Sequence, residues 1–242
     1  MESQDMHLIG HLEDLRKRII ITLATFIVLL ILAFVYVKPI YQWLMGNLPV
    51  ELAVIGPGEI VWIYLMLATV VAAAGTIPIA AHQLWIFIRP ALTAEERAVS
   101  LAYIPALFIL FVMGISFGYF FIFPIVFNFL LSLSEEMFTT LFTVEKYFRF
   151  LLHMTLPFGF LFEMPVVIMF LTSLGILNPY KLQQIRKYAY FALIVTAVLI
   201  TPPDFLSDIL VVVPLLLLYE VSILLSKMVY RRKNDRCQSL VE

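Results

Sequence analysis

Residues Ile19 to Val37 form a run of 19 positions without a charged side chain, and long apolar runs recur along the chain to about Ser226. A stretch of about 20 such residues is long enough to cross the roughly 30 Å hydrocarbon core of a bilayer as a helix. Lipid offers no hydrogen bonds, so a spanning segment must pair its backbone groups internally, and helices do so within one segment. Composition removes the soluble alternative: 62% hydrophobic residues, 14% charged residues and a mean hydropathy of +0.99 leave too little polar surface to face water. The expected fold class is an all-α integral membrane protein.

The pattern predicts six spans in one membrane domain, residues 1–242. Leu8, Leu12, Leu15 and Ile19 recur at helical spacing, so residues 1–18 read as an amphipathic helix leading into the first span, Ile19 to Val37. That span has no small-x-small cleavage pattern at its far end and is expected to be retained. Lys38 and Pro39 are expected to end it, followed by a loop over 38–58 with Tyr41 and Trp43 at interfacial depth and a turn around Pro57. The second span covers about 60–87, with Gly75 and Pro78 inside it, and the third about 101–126. A loop over 128–148 precedes the fourth, about 150–174. A polar link over 178–187 leads to two short spans, about 188–201 and 209–226, of roughly 21 and 27 Å. Residues 227–242 read as a polar, mobile tail.

Basic residues orient this arrangement. Counted on one side are Arg16, Lys17 and Arg18, then Arg89 and Arg97, then Lys181, Arg186 and Lys187, then five from Lys227 to Arg236: 13 of the 16 Lys and Arg. Lys38, Lys146 and Arg149 lie opposite. The bias toward positive cytoplasmic segments places both termini and the 89–97 turn on the cytoplasmic face of the plasma membrane.

Two features stand out on that background. The turn Arg89-Pro90-Ala91-Leu92-Thr93-Ala94-Glu95-Glu96-Arg97 carries paired carboxylates where cytoplasmic loops favour positive charge. Thr93 and Glu96 also fit a capping box opening the next helix, a purely structural reading. Glu163 is the one carboxylate near the middle of an apolar run, in Phe162-Glu163-Met164-Pro165. An acid there costs about 2.5 to 3.5 kcal/mol on insertion scales, so it should face protein or water. Pro157 and Pro165 leave the carbonyls of His153 and Leu161 short of donors and should bend the helix. A buried cavity would serve both the acid and these carbonyls; a hydrogen bond to a neighbouring helix would serve the acid alone.

Catalytic machinery is missing from the motifs. There is no GxxxxGK[ST], HExxH or GxSxG, the four histidines are scattered, and Cys237 is the single cysteine. The reading is therefore not an enzyme, with no cofactor, no metal and no nucleic acid. A receptor, a transporter using Glu163 as an ion site, and an assembly scaffold remain.

The chain resembles the TatC family, the multi-spanning receptor subunit of the twin-arginine protein translocase. His11-Leu12-Glu13-Asp14-Leu15-Arg16-Lys17-Arg18 is similar to the family's HLxELRxR. Trp85 to Leu92, continuing to Glu96-Arg97, resembles its WxFIxPxL loop. Phe162 to Pro165 resembles FEMP, and Thr201-Pro202-Pro203-Asp204 matches TPPD. The resemblance implies a glove-shaped bundle that binds twin-arginine signal peptides of folded proteins. It also implies assembly with TatA-type and TatB-type single-span subunits, homo-oligomers, and export driven by the proton-motive force without ATP. Carried onto this sequence, the signal-peptide contacts fall on Glu96, Asp14 and Phe87, with Leu92, Arg16 and Arg97 beside them. The family has Glu where Asp14 stands, and the adjacent Glu13 could substitute. Glu163 falls to a partner helix, and Pro57, Pro90, Pro165 and Asp204 to structure or assembly. Carboxylates suit this task, because charge-assisted and often bidentate bonds recognise a guanidinium pair best.

Overall fold

A computed structural model of the chain describes residues 2–46, 52–92, 97, 101, 103–135, 141–201 and 205–239. They are almost entirely helical: α1 (Glu2–Gly46), α2 (Pro57–Ile88), α3 (Tyr103–Phe117), α4 (Phe123–Glu135), α5 (Val144–Leu161), α6 (Met164–Ser173), α7 (Pro179–Gln184), α8 (Arg186–Ile200) and α9 (Phe205–Ser239). A two-residue parallel pairing of Leu52-Ala53 with Phe142-Thr143 is the exception. Five segments are long and apolar enough to cross a membrane: Leu12–Gly46, Pro57–Ile88, Tyr103–Ser132, Val144–Ser173 and Ser207–Arg231. The expected fifth span is α8, whose 15 residues reach only about 22 Å.

Two compact units divide the chain, Met1–Phe108 with Phe142–Lys146, and Ile109–Leu141 with Tyr147–Glu242. In the first, α1 packs along α2, burying Val37 and Leu44 of α1 and Ile63, Leu67, Ala68 and Ala72 of α2. Pro39 does not end the first helix, which continues to Gly46. A proline removes one donor and keeps a helical φ. Beyond it, the Tyr41 and Tyr64 rings meet at 5.3 Å and Leu44 is buried, so packing carries the helix onward. The loop expected over 38–58 is correspondingly shorter. Pro57 takes the first turn of α2, where its missing N–H costs nothing.

In the second unit, α3 continues through one π-helical turn, Gly118–Ile122, into α4. Gly114 and Gly118 lie one turn apart and bring α3 backbone to backbone against α5 at Phe158-Gly159 and Thr155. Small residues at this spacing permit close approach where lipid supplies no hydrophobic drive for helices to associate. Phe111, Met154, Thr155 and Phe158 are fully buried along that seam. The helix over 123–135 extends into the expected loop, and α5 begins at Val144, where the Thr143 hydroxyl accepts from Lys146 N at 3.3 Å.

The fourth span breaks where Pro165 predicts. After Leu161, Glu163 N donates to Phe160 O at 3.1 Å, a tighter turn, before α6 resumes with Val167 N donating to Glu163 O at 3.0 Å. Pro157 lies within α5. Gly175, at φ 77°, ends α6 in a left-handed turn that suits glycine. Asn178 then caps α7 by accepting from Tyr180 N at 2.9 Å, with Pro179 in the first turn.

The last helix departs from expectation. It does not stop near Ser226 but continues to Ser239, so the predicted mobile tail over 227–242 is helical as far as it is described. Polar side chains end an apolar run without ending a helix, since Lys and Arg are good helix formers and the backbone pattern persists into water. Buried Thr172 of α6 and Ser226 of α9 share a hydrogen bond at 2.7 Å.

Candidate functional site

The first unit holds a groove of about 410 Å³ between the N-terminal half of α1 and the C-terminal half of α2. Leu15, Arg18, Ile19, Thr22 and Phe26 form one of its walls. Their spacings of three, four and seven place them on one helical stripe. The facing wall includes Thr76, Ala80, Gln83 and Phe87. Their spacings of four, three and four likewise select a single face of α2.

The threonine hydroxyls on its walls donate back to their own helices, Thr22 to Arg18 O at 2.9 Å and Thr76 to Ala72 O at 2.6 Å, and the groove's remaining polarity is gathered at one place. Arg18 reaches across it, its guanidinium 3.5 Å from Gln83 Oε1, while its Nε is buried without a partner among the described residues. A guanidinium with one long bond to a neutral amide is under-satisfied, and its remaining donors can serve an incoming acceptor. Sequence reasoning named Arg16 and passed over Arg18 and Gln83. The signal was available in the stripe, because Arg18 is the only charged residue that falls on it.

Asp14 and Arg16 are exposed. At about 100° of helix rotation per residue, they flank Leu15 on opposite sides of the stripe, at the end of the groove. Asp14 is four residues before Arg18 and shares its side. Among the described residues, Asp14 and Glu13 have no ion-pair partner. Phe87 lies half-buried in the α2 wall.

The chain leaves α2 through a 3₁₀ turn, Arg89–Ala91, in which Pro90 is the second residue. Leu92 N donates to Arg89 O at 3.2 Å, and Leu92 is buried with 7% of its surface exposed. Its side chain is thus packed at the end of the turn. Arg97 Nε donates to Arg89 O at 3.2 Å and ties the far end of the turn back to its start. Arg89 sits over the Trp85 ring, 5.5 Å from its centroid, and Trp85 stacks on His82 at 5.8 Å. Glu96 and Asp204 lie outside the described residues.

Glu163 stands in the second unit, at the break between α5 and α6, half-buried with its Oε1 buried and unpartnered among the described residues. Such an atom carries a desolvation cost until something donates to it. Pro165 opens α6 and enforces the break. Phe162 beside it packs on Phe117, ring centroids 5.4 Å apart. The groove lies in the first unit and Glu163 in the second.

No group of three or more His, Cys, Asp or Glu capable of holding a metal occurs among the described residues. The comparisons with known proteins converge on one family. Residues 10–214 match the family described as Sec-independent protein translocase protein (TatC). The Sec-independent protein translocase protein TatCd of Bacillus subtilis (strain 168) is 59% identical over 233 residues, 96% of each chain. TatCy of the same organism is 42% identical over 236 residues, 96% of this chain and 93% of that one. A crystal structure described as the twin arginine translocase receptor TatC matches with a TM-score of 0.77 and 33% identity, over 90% of this chain and 99% of its own. This multi-pass membrane protein, a transport component and not an enzyme, belongs to the TatC family of Sec-independent protein translocase subunits.

Proposed function

We propose that this chain is the receptor that binds twin-arginine signal peptides of folded proteins at the mouth of the α1–α2 groove. The observation that carries this reading is the groove itself. It is an apolar slot whose end is flanked by the carboxylate of Asp14, unpaired among the described residues, with Phe87 on the opposite wall. A signal peptide couples two guanidinium groups to an apolar segment. Carboxylates at the mouth would take the arginines and the apolar walls the segment. Arg18 and the Gln83 amide nitrogen, deeper on the walls, would donate to backbone carbonyls that the segment brings out of water. Glu96, on the turn that follows Phe87, is the second proposed carboxylate, with Glu13 beside Asp14 as a further one.

Around that site the reading has six spans in one membrane domain, with α8 as the short fifth, in a glove-shaped bundle with both termini and the 89–97 turn cytoplasmic. The distribution of basic residues supports this orientation. Glu163, with an unsatisfied carboxyl oxygen, is the proposed contact for the membrane helix of a TatA-type or TatB-type subunit, since a polar group at such depth gains from any donor presented across helices. The assembly would be a homo-oligomer of such receptors in the cytoplasmic membrane, exporting cargo on the proton-motive force.

The test is photocross-linking from positions 14, 87 and 96 to a signal peptide carrying Arg-Arg or Lys-Lys, with affinity measured in parallel. Each charge-assisted bond lost is worth about 1.5 to 3 kcal/mol, so Asp14→Asn combined with Glu96→Gln should weaken Arg-Arg peptide binding at least about tenfold at unchanged protein level. Binding equal to that of the unaltered chain would overturn the reading.

A further inference from the structure

The second unit presents a different surface where α7 lies against the C-terminal half of α9. Tyr219 Oη donates to Leu182 O at 3.0 Å, and the rings of Tyr180 and Tyr230 meet edge to face at 6.0 Å, so α7 is pinned along α9 from about residue 219 to 230. The same region gathers charge of one sign. Among the described side chains, Lys181 on α7, Arg186 and Lys187 at the start of α8, and Lys227 and Arg231 on α9 are five cations, and Glu220 is the one carboxylate among them. Glu220 is committed to Arg186, whose Nη2 donates to its Oε2 at 2.6 Å, and also accepts from Tyr190 Oη. That leaves Lys181, Lys187, Lys227 and Arg231 without an acid partner among the described residues. Arg186 Nε is buried and equally without a partner.

Water alone would satisfy four lysines and arginines scattered on a soluble surface. Their surroundings here are different. Tyr180 is 51% exposed and Tyr188 77%, while Ile185, Phe191 and Met228 are also exposed on the same three helices. Phenol rings with apolar side chains are the composition of the membrane interface, where the hydroxyl meets headgroups and the ring meets acyl chains. The geometry of α8 draws that interface inward. A helix of 15 residues spans about 22 Å against a hydrocarbon core of roughly 30 Å, so lipid beside it must thin and bring its headgroups toward the start of α8. Lys187 stands at that point. On α9, Lys227 and Arg231 are seven and eleven residues beyond Glu220, about 10 and 16 Å along the axis, which spans the depth of a headgroup layer.

We propose that the α7–α8–α9 corner is a binding site for an anionic phospholipid. Its phosphate is held by Lys187, Lys227 and Arg231 with Lys181 at the rim, and its acyl chains lie against Ile185, Phe191 and the upper face of α8. Basic pockets between membrane helices with flanking aromatics select negative headgroups in this way. The proposal rests on the orientation given above only for which leaflet supplies the lipid; binding at the corner itself is independent of the signal-peptide reading.

The experiment is native mass spectrometry of the full-length protein in detergent, with phosphatidylglycerol and phosphatidylcholine added in equal amount. The expected result is preferential retention of phosphatidylglycerol. The combined change Lys181→Gln, Lys187→Gln, Lys227→Gln and Arg231→Gln should lower that preference by about tenfold or more. Replacing the three lysines with arginine keeps the charge and should keep the preference. Lys38→Gln with Lys146→Gln, elsewhere in the chain, should leave it intact. Equal retention of both lipids by the unaltered protein, or an unchanged preference in the quadruple variant, overturns the site. Displacement of the lipid by excess glycerol phosphate would show that a soluble anion is the ligand and overturns the assignment to lipid. The variants are checked by their unfolding temperature and by signal-peptide binding, which this site does not touch and which should stay unchanged.

Discussion

Replacing Gly114 with alanine should damage this protein far more than replacing Gly75, although both changes add one methyl group to an apolar helix. A Cβ on Gly114 would lie 2.4 Å from the Phe158 carbonyl oxygen, 2.8 Å from its carbon and 2.9 Å from Gly159 Cα. Ordinary contact begins near 3.4 Å, so α3 and α5 must separate by about 1 Å, and backbone atoms have no rotamer through which to yield. A gap of that size forfeits a quarter to a half of the dispersion energy across the seam, where Phe111, Met154 and Phe158 are fully buried. Overpacking of this kind costs about 1 to 3 kcal/mol, and a backbone obstacle belongs at the upper end. Alanine returns about 1 kcal/mol in helix propensity, leaving a net loss of about 2 kcal/mol. At Gly75 the new Cβ meets only Leu29 Cδ1, at 3.0 Å, the end of a flexible side chain, so the net change should be within about 0.5 kcal/mol of zero. Denaturant unfolding in detergent, followed by far-ultraviolet circular dichroism, reads both variants. The reasoning also fixes which second changes rescue. Phe158→Leu cannot relieve Gly114→Ala, because the obstacle is a carbonyl. Ile115→Val should relieve part of Gly159→Ala, whose Cβ meets the Phe111 and Ile115 side chains at 2.8 and 3.0 Å. Equal stability of Gly114→Ala and Gly75→Ala would refute the account of this seam.

Filling the groove separates its apolar role from its charge. Ala80→Trp, on the α2 wall, should weaken binding of an Arg-Arg signal peptide at least about tenfold while leaving the unfolding transition in place, measured by peptide fluorescence anisotropy. Glu163→Ala should reduce co-purification of a single-span TatA-type subunit more than it reduces peptide binding; undiminished co-purification would count against a partner contact there. The Thr172 to Ser226 hydrogen bond, buried between α6 and α9, should show a coupling of about 0.6 kcal/mol, and no more than about 1.7, in a double-mutant cycle of Thr172→Ala and Ser226→Ala. A coupling near zero would mean that each hydroxyl is satisfied by its own helix, since Thr172 also donates to Ile168 O at 2.7 Å.

The elements themselves were legible wherever one strong signal ruled alone. Pro165 removes a donor at bilayer depth, and the break between α5 and α6 follows. Charge-free runs give the five long helices. Boundaries failed where two signals competed. Pro39 lost to the packing of Tyr41 and Leu44 on α2, and Ser226 marks the end of an apolar run but not of a helix, because arginine and lysine continue one readily. Gly114-x-x-x-Gly118 was present as a small-residue spacing, but its partner, Thr155 with Gly159, lies some 40 residues away in sequence, and no local pattern joins them.

The groove was the harder feature, and the difficulty comes from the solvent. In water, the exposed stripe Leu12, Leu15, Ile19 and Leu23 would by itself announce an interface. In lipid the same stripe is a normal outer surface, since acyl chains cover it at no cost, and hydrophobicity ceases to distinguish a binding wall from a bilayer-facing one. What distinguishes it is a polar group that lipid cannot satisfy. Arg18 and Gln83 lie on walls otherwise lined by apolar side chains, and the pair leaves guanidinium donors over. The desolvation cost of those donors is offset only if something with acceptors enters the groove, so that site should be sought where polarity is unexplained. Glu163 meets the same criterion from the opposite sign: among the described residues its buried oxygen lacks a donor, as Arg18 Nε lacks an acceptor. On the proposed reading, a signal peptide would complete the first of these groups and a partner's membrane helix the second.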